Sequence, residues 1–407
     1  MFFRQKRMWI WPILLNISVI AGTAAINAQA QPSACNAPLG SASVTIALPG
    51  NPFAVKPAAD GCWVFASVSE GIAVLKRQAG HIELVRVVPV KPAPAGIVLT
   101  HDGKLLIAAA NNAAVVLDVA RMTAGAPTPE LGTFSGRDAK FLGSVYANVT
   151  ADDKLLFVSE EAAESITVID LERARQNGYK PDAILGDIPV GRGPIALTFS
   201  PDGKWLFTTS ELAAADWKWP AACKPEGSGR TDLVNPEGAV IVVDVARART
   251  DPSSAVAGRI PAGCSPVRMA ISTDGGRIYV TARNNNAVVA FDTAKLLSDP
   301  DHARVGMAPV GEAPVPVAVI DGGKKVVAGN SNRFAGKNAP QSLSVLDAAK
   351  IEQKGTDAGL GTIPSGAFPR ELSVSADGHT LFLTNAGSSS IQVIDIDHLP
   401  VEPARKP

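Results

Sequence analysis

The sequence has few of the residue patterns that carry nucleic-acid binding or metal chemistry. Lys plus Arg and Asp plus Glu both number 38, so the formal net charge of the 407 residues is zero. No basic stripe with interleaved aromatic residues is present, which argues against a nucleic-acid partner. Because the five histidines are dispersed along the chain, a histidine-based metal site or catalytic triad is not expected. We predict no metal site and no bound cofactor.

Several motifs that would name a reaction are also absent. The chain contains no Gly-x-Ser-x-Gly nucleophile elbow and no phosphate-binding loop. None of its four cysteines lies in a Cys-x-x-Cys or Cys-x-x-Cys-His pattern, so covalent haem and zinc ribbons are not expected. No local motif therefore assigns a catalytic residue.

The N-terminus resembles a secretory signal peptide. Arg4, Lys6 and Arg7 form a positive segment, an apolar stretch follows, and Ala28-Gln29-Ala30 fits the small-x-small cleavage pattern. We predict cleavage after residue 30, a mature chain in the periplasm or outside the cell, and no membrane contact after cleavage. The alternative is an uncleaved anchor, since the apolar stretch approaches the roughly 20 residues of a spanning helix.

A turn signal recurs seven times between short apolar runs. Each copy is Asp-Gly, or Asp-Asp in the third, with its first Asp at position 60, 102, 152, 202, 274, 321 or 377. Asp-Gly between alternating apolar runs is a strong hairpin signal, because both residues accept the positive φ of a tight turn. Repeats of about 40 to 50 residues with several short strands each are typical of a β-propeller.

Each repeat can be divided into four strands, a to d, which predicts an all-β, seven-bladed propeller of four-stranded blades. The last repeat lacks strand d, and residues 44–48 near the N-terminus resemble an unpaired one. We expect this strand to join the C-terminal blade and close the ring, leaving no open edge. The predicted domains are a signal peptide (1–30), a lead-in (31–43), the propeller (44–398) and a tail (399–407).

This arrangement separates two faces and predicts the disulfides. The a–b and c–d turns lie on one face, which we call the turn face; the b–c and d–a loops lie on the other, the loop face. An even number of cysteines in an exported chain suggests disulfides. Cys35 and Cys62 fall on the turn face beside the closing seam, and Cys223 and Cys264 on the loop face in adjacent blades. We predict the pairs Cys35–Cys62 and Cys223–Cys264, against two other pairings.

The repeated aspartates are interpreted as structural. Strand c ends in Asp in six of the seven repeats, and five of these precede a short helix-forming run. Asp at that place caps a helix, because its carboxylate accepts the free N–H groups of the first turn.

The stretch from strand b to strand c resembles a known repeat. The segments IYVTA (278–282), LFLTN (381–385) and LFVS (156–159) are similar to the repeat named after its YVTN motif. The resemblance covers residues 44–398 and implies a seven-bladed propeller of the YVTN and lactonase-like superfamily. Members include exported proteins of unknown ligand, lactone hydrolases such as 6-phosphogluconolactonase, and propeller subunits of quinone-dependent dehydrogenases. The resemblance assigns no catalytic residue, because a propeller is a scaffold that carries many functions.

Candidate binding residues concentrate on the loop face. Long insertions lie between strands b and c of the fourth repeat (211–237) and the sixth (330–340), and such loops are often functional. The ligand-binding candidates are five arginines at strand ends and two tryptophans of the fourth repeat: Arg192, Arg268, Arg283, Arg333, Arg370, Trp217 and Trp219. Arginines that converge hold carboxylates or phosphates through forked hydrogen bonds. The alternative interpretation is that they form solvated pairs with glutamates on neighbouring blades.

We therefore predict a monomeric, exported binding scaffold for a small anionic ligand, a glycan or a partner protein on the loop face. The first alternative is a lactone hydrolase acting on a lactone other than 6-phosphogluconolactone, which is intracellular. In that case Glu160 or Glu211 would be the catalytic carboxylate. The second alternative is the propeller subunit of a quinone-dependent dehydrogenase.

Overall fold

The structure is a computed structural model that describes residues 1, 35, 37–135, 141–334, 341–353 and 355–403. The chain divides into two compact units, Met1–Pro32 and Ser33–Pro407, and every strand and helix of the described residues belongs to the second. Apart from Met1, the predicted signal peptide lies outside the described residues, as do Lys337 of the sixth-repeat insertion and residues 404–407 of the predicted tail.

Thirty strands build the described part of the chain. Strand β1 (Ser43–Ala47) comes first. Sheet I contains β2 (Val55–Pro57), β3 (Trp63–Val68), β4 (Gly71–Gln78) and β5 (His81–Pro89). Sheet II contains β6 (Ile97–Leu99), β7 (Leu105–Ala110), β8 (Ala113–Asp118) and β9 (Glu130–Phe134). Sheet III contains β10 (Ser144–Val149), β11 (Leu155–Glu160), β12 (Ser165–Asp170) and β13 (Ile184–Pro189).

Sheet IV starts with β14 (Arg192–Phe199) and β15 (Trp205–Leu212). A small hairpin of β16 (Ala221–Cys223) and β17 (Asn235–Pro236) follows, and β18 (Ala239–Asp244) and β19 (Val256–Pro261) complete the sheet. Sheet V contains β20 (Pro266–Ile271), β21 (Arg277–Ala282), β22 (Ala287–Asp292) and β23 (Arg304–Pro309). Sheet VI contains β24 (Pro314–Ile320), β25 (Lys325–Asn330), β26 (Ser342–Asp347) and β27 (Gly359–Pro364). Sheet VII contains β28 (Pro369–Val374), β29 (Thr380–Asn385) and β30 (Ser390–Asp395), with β1 paired to β30.

The described residues thus form seven four-stranded antiparallel sheets and one two-stranded hairpin. The first strands of consecutive sheets contact each other, and β28 of sheet VII contacts β2 of sheet I. Apolar side chains of neighbouring sheets pack into shared clusters, for example Phe65 with Leu106 and Phe207 with Phe291. This is a propeller-like arrangement, in which each sheet is buried by the next one. The hairpin of β16 and β17 lies in the fourth-repeat insertion, where the sequence indicated only irregular structure.

Short helices follow five of the strands that end in aspartate, and the capping hydrogen bond is present in four of them, including one from the Lys350 N–H to Asp347 at 3.3 Å. The α-helices are α1 (Val119–Ala124), α2 (Leu171–Asn177), α3 (Val245–Thr250), α4 (Lys295–Ser298) and α5 (Ala348–Gln353). Asp118, Asp170 and Asp244 each accept a hydrogen bond from the backbone N–H three residues later, at 2.9 to 3.0 Å. Single 3₁₀ turns span Pro181–Ala183, Ala215–Trp217, Pro252–Ser254, Arg283–Asn285, Pro300–His302, Asp321–Gly323, Gly355–Asp357 and Ala386–Ser388.

The turn signal has a common local structure. Ser200 donates a hydrogen bond to Asp202 and Ser272 to Asp274, and each hydrogen bond lowers the pKa of the Asp it reaches. The same carboxylates accept the backbone N–H two residues later, which closes the turn. These aspartates hold the hairpins through hydrogen bonds, and the positive φ that the sequence analysis expected of both turn residues occurs in these two turns only at the glycines, Gly203 and Gly275.

Both predicted disulfides are present, Cys35–Cys62 and Cys223–Cys264. Among the described residues, no helix has the length and apolar character needed to cross a membrane.

Candidate functional site

A hydroxyl repeated in the second strand of several sheets fixes the register of the first strands. Thr281 accepts a hydrogen bond from the backbone N–H of Arg268 and donates one to the carbonyl of Val315 in the next sheet. Thr384 acts in the same way on the N–H of Glu371 and the carbonyl of Phe53. This hydroxyl belongs to the threonine of the segments IYVTA (278–282) and LFLTN (381–385), so that threonine marks the contact between neighbouring sheets.

The first strands of the sheets carry different residues at the position opposite this hydroxyl. In sheets I and IV the residue whose N–H reaches this hydroxyl is alanine, Ala54 and Ala196. In sheets V and VII it is Arg268 and Glu371, and in sheet III the residue paired with Ser159 is Tyr146. At this position, sheets III, V and VII therefore carry large polar side chains, where sheets I and IV carry a methyl group.

Side chains from four sheets meet there in one hydrogen-bonded group, which we call the central network: Lys56, Tyr146, Arg268 and Glu371. The Lys56 ammonium lies 3.0 Å from Glu371 Oε1 and donates to the Tyr146 hydroxyl at 3.3 Å. Tyr146 in turn donates to Glu371 Oε1 at 2.9 Å, and the Arg268 guanidinium lies 3.6 Å from Glu371 Oε2. Only 4% of the Glu371 side chain and 8% of the Arg268 side chain is exposed.

The charges of this network do not cancel. Burial alone would lower the pKa of Lys56, but the charge of Glu371 and the contact with Tyr146 outweigh it and raise that pKa. The network thus contains two basic side chains, Lys56 and Arg268, and a single carboxylate, Glu371, which leaves one formal positive charge in excess.

Arg268 also belongs to a stack of alternating guanidinium groups and aromatic rings. It lies over Phe53 (5.7 Å from the ring centroid), and Arg370 lies over the same ring at 4.2 Å. Phe368 follows, with Arg370 at 5.4 Å and Arg333 at 5.8 Å. Contacts of this kind stabilise a cation by about 0.5 to 2 kcal/mol, and they hold three cations close together. We call Arg268, Arg333 and Arg370 the arginine cluster.

The described residues provide no carboxylate partner for Arg370 or Arg333 within ion-pair distance. Burial, and then repulsion by Arg268 and Arg333, lower the pKa of Arg370 to about 10, so the group remains charged at neutral pH. The buried Nε of Arg370 and the buried Nε and Nη1 of Arg268 have no hydrogen-bond partner in the described part of the chain. Buried donors of this kind are normally satisfied, so the cluster has hydrogen-bond donors that the described residues leave unused.

The structure brings Arg268, Arg333 and Arg370 together, whereas Arg283 and Arg192 are engaged elsewhere. The Arg283 guanidinium, 7% exposed, binds Glu211 at 2.9 Å and Glu226 at 2.7 Å. Arg192 is half exposed and lies 3.7 Å from Glu164. Arg192 therefore forms a solvated pair with a glutamate of the neighbouring sheet, which was the alternative interpretation of the arginines.

The fourth-repeat insertion is fastened across sheet V. Arg283 binds its Glu226, the side chain of Asn284 donates to the carbonyl of Lys224, and Cys223 forms its disulfide with Cys264. Beyond these anchors, Gly227 lies against the ring of Phe334, next to Arg333. The insertion thus reaches the far end of the guanidinium–aromatic stack.

The two tryptophans pack on the protein itself. Trp217 and Trp219 lie 5.3 Å apart and cover the cluster of apolar residues shared by sheets III and IV. Trp217 also carries Arg259 over its ring and contacts the Gly191 backbone. The two tryptophans thus cover apolar residues of the fold, and neither is part of the arginine cluster.

The two candidate catalytic carboxylates have partners within the fold. Glu160 is 4% exposed and accepts hydrogen bonds from Ser144 (2.6 Å) and Thr167 (3.2 Å). Glu211 is held by both terminal nitrogens of Arg283. Burial raises the pKa of Glu211, although Arg283 opposes the rise. Glu211 also lines a cavity of about 460 Å³ with Glu161 and Glu164.

Sequence reasoning did not select Phe53, Lys56, Tyr146 or Phe368. A signal was available, because Lys56 and Glu371, like some of the arginines that were selected, are charged residues in largely apolar first strands, and Tyr146 is an aromatic residue among them. Aligning the first strands on the repeated hydroxyl would have placed Tyr146 and Glu371 at one level, with Lys56 two residues further along its strand.

Comparisons with known proteins support the fold. No family model matches the chain, and no curated protein matches it. Solved structures do match, and one is a chain of hydrazine synthase from Kuenenia stuttgartiensis, a protein that contains a β-propeller. The match has a TM-score of 0.63 and 19% sequence identity, and it covers 86% of this chain and 96% of the other. At this identity the likeness concerns the fold alone, and the chain is thus similar in fold to a propeller-containing protein.

Proposed function

We propose that this protein is an exported β-propeller of seven closed blades that binds a small anionic ligand on its loop face through Arg268, Arg333 and Arg370. The observation that carries the proposal is the arginine cluster itself. Three guanidinium groups share two phenylalanine rings, and at least two of them, Arg333 and Arg370, have no carboxylate partner among the described residues. Arginine presents a planar fork of donors that matches carboxylate and phosphate oxygens.

Three contacts support seven blades closed into a ring. Strand β1 pairs along its length with β30, so the first and last parts of the described chain share one sheet. Thr384 of sheet VII donates to the carbonyl of Phe53 ahead of sheet I, as Thr281 of sheet V does to sheet VI. Arg77 of sheet I donates to Thr380 of sheet VII at 3.1 Å. These contacts support a ring in which the last and first sheets are neighbours.

The energetics favour an anion over a neutral ligand. A buried charge without a partner is held at a cost of several kcal/mol, because it has lost its water shell. A ligand that supplies oxygen atoms to the unpaired Nε and Nη1 groups replaces that lost hydration. Binding of an anion therefore offsets the unfavourable burial of these guanidinium groups, and a neutral ligand offsets less of it.

Calorimetric titration tests this proposal with phosphate and citrate as probes at low ionic strength. We expect saturable binding of at least one probe, weakened at least tenfold by Arg370→Gln and by Arg333→Gln. Arg192→Gln is the matched control, since Arg192 is exposed and already paired with Glu164. Absence of binding to either probe, or equal loss in the control, would contradict the proposal.

Export is supported by the two disulfides, since structural disulfides form in oxidising compartments. Mass spectrometry of the mature protein from a periplasmic or culture-medium fraction tests it. We expect a mature N-terminus near residue 31, and a retained N-terminus would instead favour the anchor.

Lactone hydrolysis is a second candidate, favoured by the cavity that Glu211 lines. A carboxyl whose pKa is raised by burial is suited to proton transfer near neutral pH. A panel of lactones tests it: we expect turnover that is lost in Glu211→Gln and retained in Glu237→Gln. Rates equal to background for all lactones rule it out.

A propeller subunit of a redox enzyme is a third candidate, and its only support is the fold likeness to a chain of hydrazine synthase. Affinity purification from the native cell tests it. A stable, stoichiometric partner that holds a redox cofactor supports the candidate, and recovery of the chain alone contradicts it.

A further inference from the structure

A second cavity lies on the opposite, turn-face side of the central network. It encloses about 640 Å³ and is bounded by the first strands of sheets I to VII. Lys56 and Tyr146 of the central network line it, and His101, Ser200 and Gly203, from turns between the first and second strands, lie at its other end. Cavities of roughly 300 to 1,000 Å³ are typical of small-molecule sites.

The seven sheets each contribute one residue to a ring at a single level of this cavity. The strand pairing defines this ring, because each member pairs with the third residue of the second strand of its own sheet. For example, Asn148 pairs with Phe157, and Thr198 pairs with Phe207. Four members are polar: Lys56, Asn148, Thr198 and Ser373. The remaining three are Val98, Ala270 and Ala318, and all seven line the cavity.

The polar members retain capacity for hydrogen bonds. The hydroxyls of Thr198 and Ser373 make no hydrogen bond within the described part of the chain, and both residues are partly exposed to the cavity. The Asn148 amide is held in place by the Leu197 carbonyl and the Val149 N–H, which uses one of its two donors. The Lys56 ammonium has three donors, of which Glu371 and Tyr146 engage two.

Charge and shape together define what this ring would bind. Lys56 is the charged member, and the central network behind it has one excess positive charge, which favours an anion. Two hydroxyls and an amide on the same level match a ligand that carries several hydroxyl groups. Ala270 and Ala318 leave a small, apolar wall opposite, on which the C–H face of a sugar ring could pack.

We propose that the turn-face cavity is a binding site for a hydroxylated organic acid of monosaccharide size, such as a uronic or aldonic acid. Its carboxylate binds Lys56, and its hydroxyl groups bind Thr198, Ser373 and the free amide donor of Asn148. No arginine of the described part of the chain lines this cavity, whereas the proposed loop-face site consists of Arg268, Arg333 and Arg370. It lies on the face whose regular turns the sequence indicated as purely structural.

Titration calorimetry with D-glucuronate, D-gluconate and, as the neutral comparison, D-glucose tests this inference. We expect wild-type protein to bind at least one of the acids saturably, with a Kd in the millimolar range or below, and to bind glucose more weakly. Thr198→Val and Ser373→Ala should each weaken the acid about five- to tenfold, with the folded structure unchanged by circular dichroism. Lys56→Met should abolish the preference for the acid over glucose.

Controls separate this site from the proposed loop-face function. Arg333→Gln should reduce binding of citrate or phosphate but leave binding of the sugar acid unchanged. Because Lys56→Met leaves Glu371 without its main partner, the double variant Lys56→Met/Glu371→Gln provides a neutral version of the same test. No saturable binding of either acid by wild-type protein overturns the inference. Loss of acid binding in Arg333→Gln with full binding in Thr198→Val also overturns it, because the acid would then bind the arginine cluster.

Discussion

Replacement of Arg370 by methionine should stabilise the folded protein while it abolishes anion binding. Arg370 is the member of the arginine cluster whose charge is most strongly opposed by its surroundings, being buried and close to Arg268 and Arg333. Methionine is similar in length and packs well on aromatic rings, so the contacts with Phe53 and Phe368 are largely kept. The change therefore removes a charge without leaving a large cavity.

The magnitude follows from the lowered pKa. The pKa of Arg370 falls to about 10, and since each pKa unit corresponds to roughly 1.4 kcal/mol, a fall of about 2.5 amounts to about 3 kcal/mol. Loss of the cation–π contacts offsets about 1 kcal/mol of this. We expect the free energy of unfolding to rise by about 2 kcal/mol at neutral pH. The folded-state pKa lies below the unfolded one, so the penalty is full at neutral pH and fades as pH rises above about 10.

Urea denaturation followed by circular dichroism measures this effect, at an unchanged m value. Arg192→Met is the control, and we expect a change of at most about 0.5 kcal/mol because Arg192 is exposed. Saturating citrate should raise the urea midpoint of the wild type, since a ligand stabilises the state that it binds, and should leave Arg370→Met unchanged. If Arg370→Met lowers the free energy of unfolding by more than about 1 kcal/mol, Arg370 is a structural residue and the reasoning is wrong.

Three further predictions concern residues that hold the fold. Arg283→Met leaves two partly buried carboxylates, 20% and 21% exposed, without their cation and should destabilise the protein by about 3 kcal/mol; a loss below about 1 kcal/mol would show that those carboxylates are solvated. Thr384→Val removes the hydroxyl that joins sheets VII and I and should cost about 1 to 3 kcal/mol, whereas the exposed control Thr250→Val should change little. Ser200→Ala should reduce the loss of stability in acid, because the lowered pKa of Asp202 contributes stability above about pH 4 that disappears as pH falls; an unchanged pH profile of the urea midpoint would contradict this.

The repeat made much of the architecture predictable. Each Asp-Gly signal corresponds to a local hydrogen-bonded turn, such as that of Ser272 and Asp274, which depends on residues two to five apart. The disulfide pairs were predictable because the repeat divides the cysteines between two faces. Both features depend on short-range geometry that is the same in each copy.

The candidate site was predictable only as a set of arginines. Nothing local distinguishes Arg283 from Arg370, since both lie near the loop-face end of a strand. Arg283 is neutralised by Glu226 from an insertion 57 residues earlier, while Arg370 stacks on Phe53 from the other end of the chain. Such contacts depend on how the seven sheets are arranged around a centre. No short segment of the sequence contains both partners.

The sequence by itself thus determined the strands, the turns, the helix caps and the pairing of the cysteines, because these follow from alternation and from hydrogen bonds within or between adjacent repeats. The tertiary structure alone decided which charges meet. Lys56, Tyr146, Arg268 and Glu371 are separated by up to 315 residues, yet they lie within hydrogen-bond or ion-pair distance of one another in the central network. The physical reason is that a propeller-like fold brings the first strands of all the sheets together around one centre, so that residues far apart in the sequence become neighbours there.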